Sequence, residues 1–100
     1  MSTIVTDENG KAIQAIRQST VQNVSIGAGS LQSAVFTETL VRLLPTSACY
    51  VRFGENPTVT SANGTLLAAG VPEYFGVVPG QRLAAIQVSA GGTLNITEAL

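Results

Sequence analysis

The sequence predicts an all-β fold: a small antiparallel β-sandwich of about eight short strands with an N-terminal arm. A jelly-roll is one topology that this strand count allows. Three observations carry the prediction. Apolar and polar residues alternate with a period of two along much of the chain, as half-buried strands require. About eight short strands follow one another at intervals of eight to twelve residues, with turn chemistry at Gly27-Ala28-Gly29, Gly54-Glu55-Asn56-Pro57, Ala62-Asn63-Gly64, Pro79-Gly80 and Ala90-Gly91-Gly92. β-Branched residues recur in the runs between these turns, where a pleated surface favours them.

Residues 1–18 read as an N-terminal arm and residues 19–100 as the sandwich domain. In the arm, Asn9-Gly10 is a tight-turn signal between Ile4-Val5 and the run Lys11 to Gln18, so two weak strands joined by a turn are expected. Such a segment is a candidate for ordering against a partner. In Ser19 to Ile26, Val24 and Ile26 share a face. The run Gln32 to Leu44 puts Val35, Thr37, Thr39, Val41 and Leu43 on one face and Phe36, Glu38, Leu40, Arg42 and Leu44 on the other. It is longer than the usual strand of about five to six residues, so a bend is expected inside it.

Pro45-Thr46-Ser47 looks like a hairpin connection into Cys49, Val51 and Phe53, which alternate with Tyr50 and Arg52. Thr58-Val59-Thr60 reads as a short edge strand opened by Pro57. Leu66 to Ala69 is a short apolar run, and Val71 to Val78 leads into a Pro79-Gly80 turn of type II chemistry. Leu83–Ser89, with Ala84, Ile86 and Val88 on one face, and Thr93–Glu98, with Leu94 and Ile96 alternating, read as the clearest hairpin.

One hundred residues suit one domain, and 45% hydrophobic residues argue against disorder. Only 11% are charged, against about 25% in typical domains. The surface is therefore built largely from Ser, Thr, Gln, Asn, Gly and Ala, which suits packing against other chains. Net charge is −1, and the basic residues Lys11, Arg17, Arg42, Arg52 and Arg82 are scattered. Arg42 and Arg52, which could meet across a hairpin, make no phosphate-binding stripe, so no nucleic-acid partner is expected. The opening residues lack a secretory pattern, and no run approaches the roughly 20 apolar residues of a membrane helix. Synthesis and folding in a cytoplasm, with no membrane partner, are expected.

Catalysis has little support. Histidine is absent, which removes the commonest general base and metal ligand. Cys49 sits inside an apolar run with no histidine to activate it and reads as a small buried hydrophobe. The acids Asp7, Glu8, Glu38, Glu55, Glu73 and Glu98 form no motif, although Glu55 and Glu73 could approach each other in a sandwich. The expectation is no enzyme, no catalytic, cofactor-binding or metal residues, and no cofactor. Asn23-Val24-Ser25, Asn63-Gly64-Thr65 and Asn95-Ile96-Thr97 match the glycosylation triplet by chance in a Ser/Thr-rich chain. Among the aromatics, Phe53 and one of Tyr74 and Phe75 are expected in the core. Tyr74 and Phe75 point to opposite faces of an extended segment, so the other is exposed or buried against a partner.

The residues from about 20 to 98 resemble a group of small virion proteins of tailed bacteriophages, encoded among head genes. The resemblance lies in Val41-Arg42-Leu43, Ala48-Cys49-Tyr50-Val51-Arg52-Phe53-Gly54, Pro57-Thr58, Leu67-Ala68-Ala69-Gly70-Val71-Pro72-Glu73-Tyr74-Phe75, Pro79-Gly80, Ala84-Ala85-Ile86-Gln87, Gly91-Gly92-Thr93-Leu94 and Thr97-Glu98. It implies a capsid decoration (cement) protein on the outside of the head, made in the host bacterial cytoplasm. Its expected partners are the major capsid protein and itself, as a homo-oligomer, trimer or dimer. A head–tail connector, neck or tail accessory protein is the alternative, and a carbohydrate-binding module for host attachment is a second alternative.

Overall fold

The computed structural model describes Val5–Thr6, Ala12–Ile13 and residues 17–100. Its strands are β1 (Val5–Thr6), β2 (Ala12–Ile13), β3 (Gln18–Ile26), β4 (Leu31–Gln32), β5 (Leu40–Pro45), β6 (Cys49–Gly54), β7 (Thr65–Leu67), β8 (Glu73–Gly76), β9 (Arg82–Gln87) and β10 (Gly92–Ala99). No helix occurs among the described residues. β1 pairs antiparallel with β2, and the Asn9-Gly10 turn expected between them lies outside the described residues. The other eight strands form two antiparallel sheets, β3-β10-β5-β8 and β4-β9-β6-β7.

This order has a simple origin. Of these eight strands, the first pairs with the last (β3–β10), the second with the seventh (β4–β9), the third with the sixth (β5–β8) and the fourth with the fifth (β6–β7). These are the pairs of one long hairpin folded on itself. Wrapping that hairpin around a core sends alternate pairs into opposite sheets, and β10–β5 and β9–β6 then close each sheet. The result is a jelly-roll sandwich.

The wrap overturns both expected hairpins. Leu83–Ser89 and Thr93–Glu98 do not pair: β9 lies in one sheet and β10 in the other. Likewise Pro45-Thr46-Ser47 carries the chain from β5 across to β6 in the opposite sheet. Alternation tells which residues face inward, but not which wall of the core they belong to. The two crossovers instead grip each other. Thr46 N–H donates to Thr93 O at 2.9 Å, Thr93 N–H donates to Thr46 Oγ1 at 2.8 Å, and Ser47 Oγ donates to Gly91 O at 2.9 Å. Gly92 has no side chain because there is no room for one: a Cβ there would stand 2.5 Å from Thr46 Oγ1 and 2.7 Å from Ser47 Oγ.

The long run Gln32 to Leu44 does bend. β4 ends at Gln32, residues 33–39 cross between the sheets, and β5 starts at Leu40. The crossing changes the phase of the alternation. Val41 and Leu43 are buried, but Val35, expected on their face, is exposed, and Phe36, expected on the other face, is buried. Thr58-Val59-Thr60 forms no strand. Pro57 has no N–H to give a ladder, and the Asn63 side chain takes the place of a partner strand. Asn63 Oδ1 accepts Thr60 N–H at 2.7 Å, and its Nδ2 donates to Thr58 O at 3.3 Å.

The core takes Val24, Ile26, Val41, Leu43, Leu94 and Ile96 from one sheet and Cys49, Val51, Leu67, Leu83 and Ala85 from the other. Each buried Leu, Ile or Val of this set contributes roughly 1.5–3 kcal/mol. Three rings close one end. Phe53 lies 6.3 Å from Phe36 and 5.4 Å from Phe75, both tilted, so the bend and both sheets meet on one side chain.

Candidate functional site

The side chains weighed for chemistry are scattered by the fold. Cys49 is fully buried, and burial pushes its thiol up to about 11. It is protonated at neutral pH and meets no reagent in the folded state. Arg42 and Arg52 do not meet. Arg42 alternates with the inward Val41 and Leu43 of β5, and Arg52 with the inward Val51 of β6, so they stand on opposite outer faces. Glu73 opens β8 in one sheet, whereas Glu55 follows β6 in the other. A hollow of about 360 Å³ is lined by Glu55 together with Arg52, Phe53, Asn56, Thr58 and Asn63, but not by Glu73. It offers a polar rim and no paired carboxylates. Among the described residues, no three of His, Cys, Asp and Glu come close enough to hold a metal ion.

Phe53 and Phe75 pack on the core, while Tyr74 is 42% exposed beside Arg42 on the outer face. The core assignment of Phe53 and the opposite faces of Tyr74 and Phe75 follow from the strand period.

What the fold assembles instead is a pair of unlike outer faces. On β3-β10-β5-β8 the outward positions of β3 and β10 carry Asn23, Ser25, Thr93, Asn95 and Thr97 beside Val21, with Asn95 Nδ2 donating to Asn23 Oδ1 at 3.1 Å, and those of β5 and β8 carry Leu40, Arg42, Leu44 and Tyr74. On β4-β9-β6-β7 the register sets Ile86, Tyr50 and Leu66 side by side across three strands. Val88, whose N–H donates to Ala48 O at 3.3 Å, extends that row toward the crossover end. Leu66 is 58% exposed and Val88 44%, while Tyr50 and Ile86 are half-buried. Arg52 and Arg82, at the other end of β6 and β9, are the charged side chains on the outward positions of β6, β7 and β9.

No known protein family matches this chain, and neither does a characterised protein or a solved structure. The site must be read from its own geometry.

Part of the apolar face is covered by the chain itself. The β6–β7 connection, residues 55–64, folds back over it. Gln32 Nε2 donates to Asn56 Oδ1 at 2.8 Å and to Pro57 O at 2.9 Å, and Ser30 Oγ accepts Val59 N–H at 3.1 Å. Val59 is buried outside the main core, next to Gly64 and Tyr50. The Leu66 and Val88 end stays open.

Sequence reasoning missed two polar devices. Glu98, on the inward side of β10, is 1% exposed. Its Oε1 accepts Thr37 N–H at 2.7 Å and Glu38 N–H at 3.0 Å, so it holds the bend between β4 and β5. Gln22 grips the same bend further along: its Oε1 accepts Ala34 N–H at 2.9 Å, and its Nε2 points to Ala34 O at 3.5 Å. The one available signal was position. Glu98 continues the inward set Leu94 and Ile96 by two residues.

Proposed function

We propose that the chain is a structural protein of a tailed-bacteriophage virion, a decoration (cement) protein that binds the outside of the head and stabilises it. It works by contact and has no catalytic role. The observation that carries this reading is the unlike pair of outer faces: one apolar and uncharged at its open end, the other with a lattice of Asn, Ser and Thr over β3 and β10 and the Arg42 charge on β5. A small module that lies on a larger assembly needs one face that sheds water without desolvating charge and one that stays wet. The resemblance of residues 20–98 to phage head-gene products supplies the assembly, and the major capsid protein is the partner. Leu66, Val88, Tyr50 and Ile86 form the contact, and many copies on a repeating shell supply the avidity that so small a patch lacks.

The test is the copy number of this chain per purified particle, by quantitative mass spectrometry against the major shell protein. Hundreds of copies support decoration. About a dozen, as a closed ring would hold, move the protein to the connector or tail. None sinks both virion readings. On shells lacking the protein, Leu66→Glu should rebind at least tenfold more weakly than wild type, because it buries an unpaired charge in the contact. Unchanged rebinding would refute the assignment of the face.

A further inference from the structure

The edges of the two sheets are unequal. β4 has two residues, β7 three, and β8 four with Glu73 at its start and Pro72 before it. Short length, charge and proline are the usual means of blunting an edge strand. β3, the fourth edge, has nine residues, Gln18–Ile26, with no charged residue and no proline.

The register shows which of its backbone groups are unused. Thr46 N–H donates to Thr93 O, so that pair is a hydrogen-bonded one. Such pairs alternate along an antiparallel ladder. Thr93, Asn95 and Thr97 therefore turn their backbone groups toward β5, and Leu94 and Ile96 turn theirs toward Val24 and Gln22 of β3. On β3, Val21, Asn23 and Ser25 consequently direct N–H and C=O away from β10. Among the described residues no backbone group pairs with them.

We infer that β3 is a self-association edge, on which β3 of a second copy pairs antiparallel about a two-fold axis at Asn23. This register sets Asn23 opposite itself and Val21 opposite Ser25, twice. All three outward residues are used, and each pair exchanges two hydrogen bonds. The two four-stranded sheets become one of eight strands. The second copy is the occupant that the charge pattern favours. An uncharged edge meets its own copy without like-charge repulsion, and it offers a charged peptide no counter-charge. The polar outer face continues through the junction, since Asn95 already bonds Asn23 across the ladder. Five residues of strand at about 3.4 Å each span only about 17 Å. The contact is therefore smaller than the roughly 800 Å² per partner of a stable complex, and a reversible dimer is expected. This inference stands apart from the decoration reading, which concerns the opposite face.

The test uses the full chain. Its native thiol, Cys49, is buried and silent, so an added cysteine reports alone. Asn23→Cys should give a disulfide-linked dimer under mild oxidation, because the paired Cα atoms would stand about 5.5 Å apart. Asn95→Cys, one strand inward on the same face, should not, since its copies would be about 15 Å apart. Asn23→Pro removes a donor that points away from β10 and should weaken dimerisation at least tenfold by sedimentation. If that variant fails to fold, the cross-linking comparison still decides. The inference is overturned if Asn23→Cys cross-links no faster than Asn95→Cys. It is equally overturned if the wild-type protein stays monomeric at about 1 mM, so that any Kd lies well above that concentration, or assembles as a trimer.

Discussion

Removing the carboxylate of Glu98 should unlock the bend between β4 and β5. Oε1 accepts the adjacent N–H groups of Thr37 and Glu38 at 2.7 and 3.0 Å, and Thr37 Oγ1 lies 3.5 Å away. Hydrogen bonds to an ionised acceptor are worth about 1.5–3 kcal/mol each, against about 0.5–1.5 for neutral ones. Here both donors sit on a partly exposed segment, since Thr37 is exposed and Glu38 half-buried, and water recovers part of the loss. Glu98→Gln keeps the shape and an acceptor oxygen but loses the charge, so it should cost about 1–2 kcal/mol. Glu98→Ala leaves two donors unpaired and a gap beside Val41, its neighbour in the register, and should cost about 2–4 kcal/mol. For a domain of this size the alanine variant should melt roughly 10–20 °C lower. Urea denaturation with an unchanged m-value gives the free energies, and amide hydrogen exchange locates them. Thr37 and Glu38 should lose protection before the strands do. The surface variant Glu55→Gln should stay within about 0.5 kcal/mol of wild type. The reasoning fails if Glu98→Ala also stays within that limit, or if Thr37 and Glu38 exchange as they do in the wild type.

Two further outcomes follow from packing and burial. Gly64→Ala would set a Cβ 2.7 Å from both Tyr50 Cβ and Val59 Cγ2 and 3.0 Å from Thr60 O, none of them a flexible chain end. It should destabilise by about 1–3 kcal/mol and loosen the 55–64 flap, read as proteolytic nicking in that segment while the sandwich persists. Burial lifts the Cys49 thiol from 9.0 to about 11, so the unfolded chain ionises first as pH rises. Its contribution is complete below about pH 9 and fades as pH passes about 11, a loss of roughly 2–3 kcal/mol. Cys49→Ala should lack this alkaline slope, seen as the difference between the two proteins' denaturation curves from pH 8 to pH 11. Equal slopes would show that the thiol does not titrate in this window.

The class of the fold was legible because each wall of a sandwich imposes the same local rule. Val24 with Ile26, Cys49 with Val51, and Leu94 with Ile96 face inward, and the two-residue period says so without knowledge of their partners. Partners are a different matter. A jelly-roll pairs residues as distant as Val24 and Leu94, and nothing local distinguishes that pairing from a hairpin between neighbouring runs. Turn residues misled for the same reason: Pro45-Thr46-Ser47 and Ala90-Gly91-Gly92 do turn the chain, but over the rim of the sandwich. Where the period broke, polar side chains stood in for backbone. Asn63 replaces a strand beside Thr58 and Thr60, and Glu98 replaces a ladder at Thr37 and Glu38. Such substitutions leave no periodic trace.

The same logic sets what the surface can reveal. A catalytic site concentrates rare residue types, which stand out in a sequence. A binding face concentrates ordinary ones, and only register makes it visible. Tyr50, Leu66, Ile86 and Val88 are spread over 39 positions of the chain, from 50 to 88 by way of two sheets' worth of turns, and they become neighbours only because β7, β6 and β9 lie side by side. The unblunted edge is visible in a similar way. Gln18–Ile26 reads as an unremarkable polar strand until the sheet order puts it at the end of a row whose other three counterparts are short or charged. The exposed surface of this protein is therefore a property of topology: the wrapping that hides the core also decides which uncharged surfaces and which strand edge are left open.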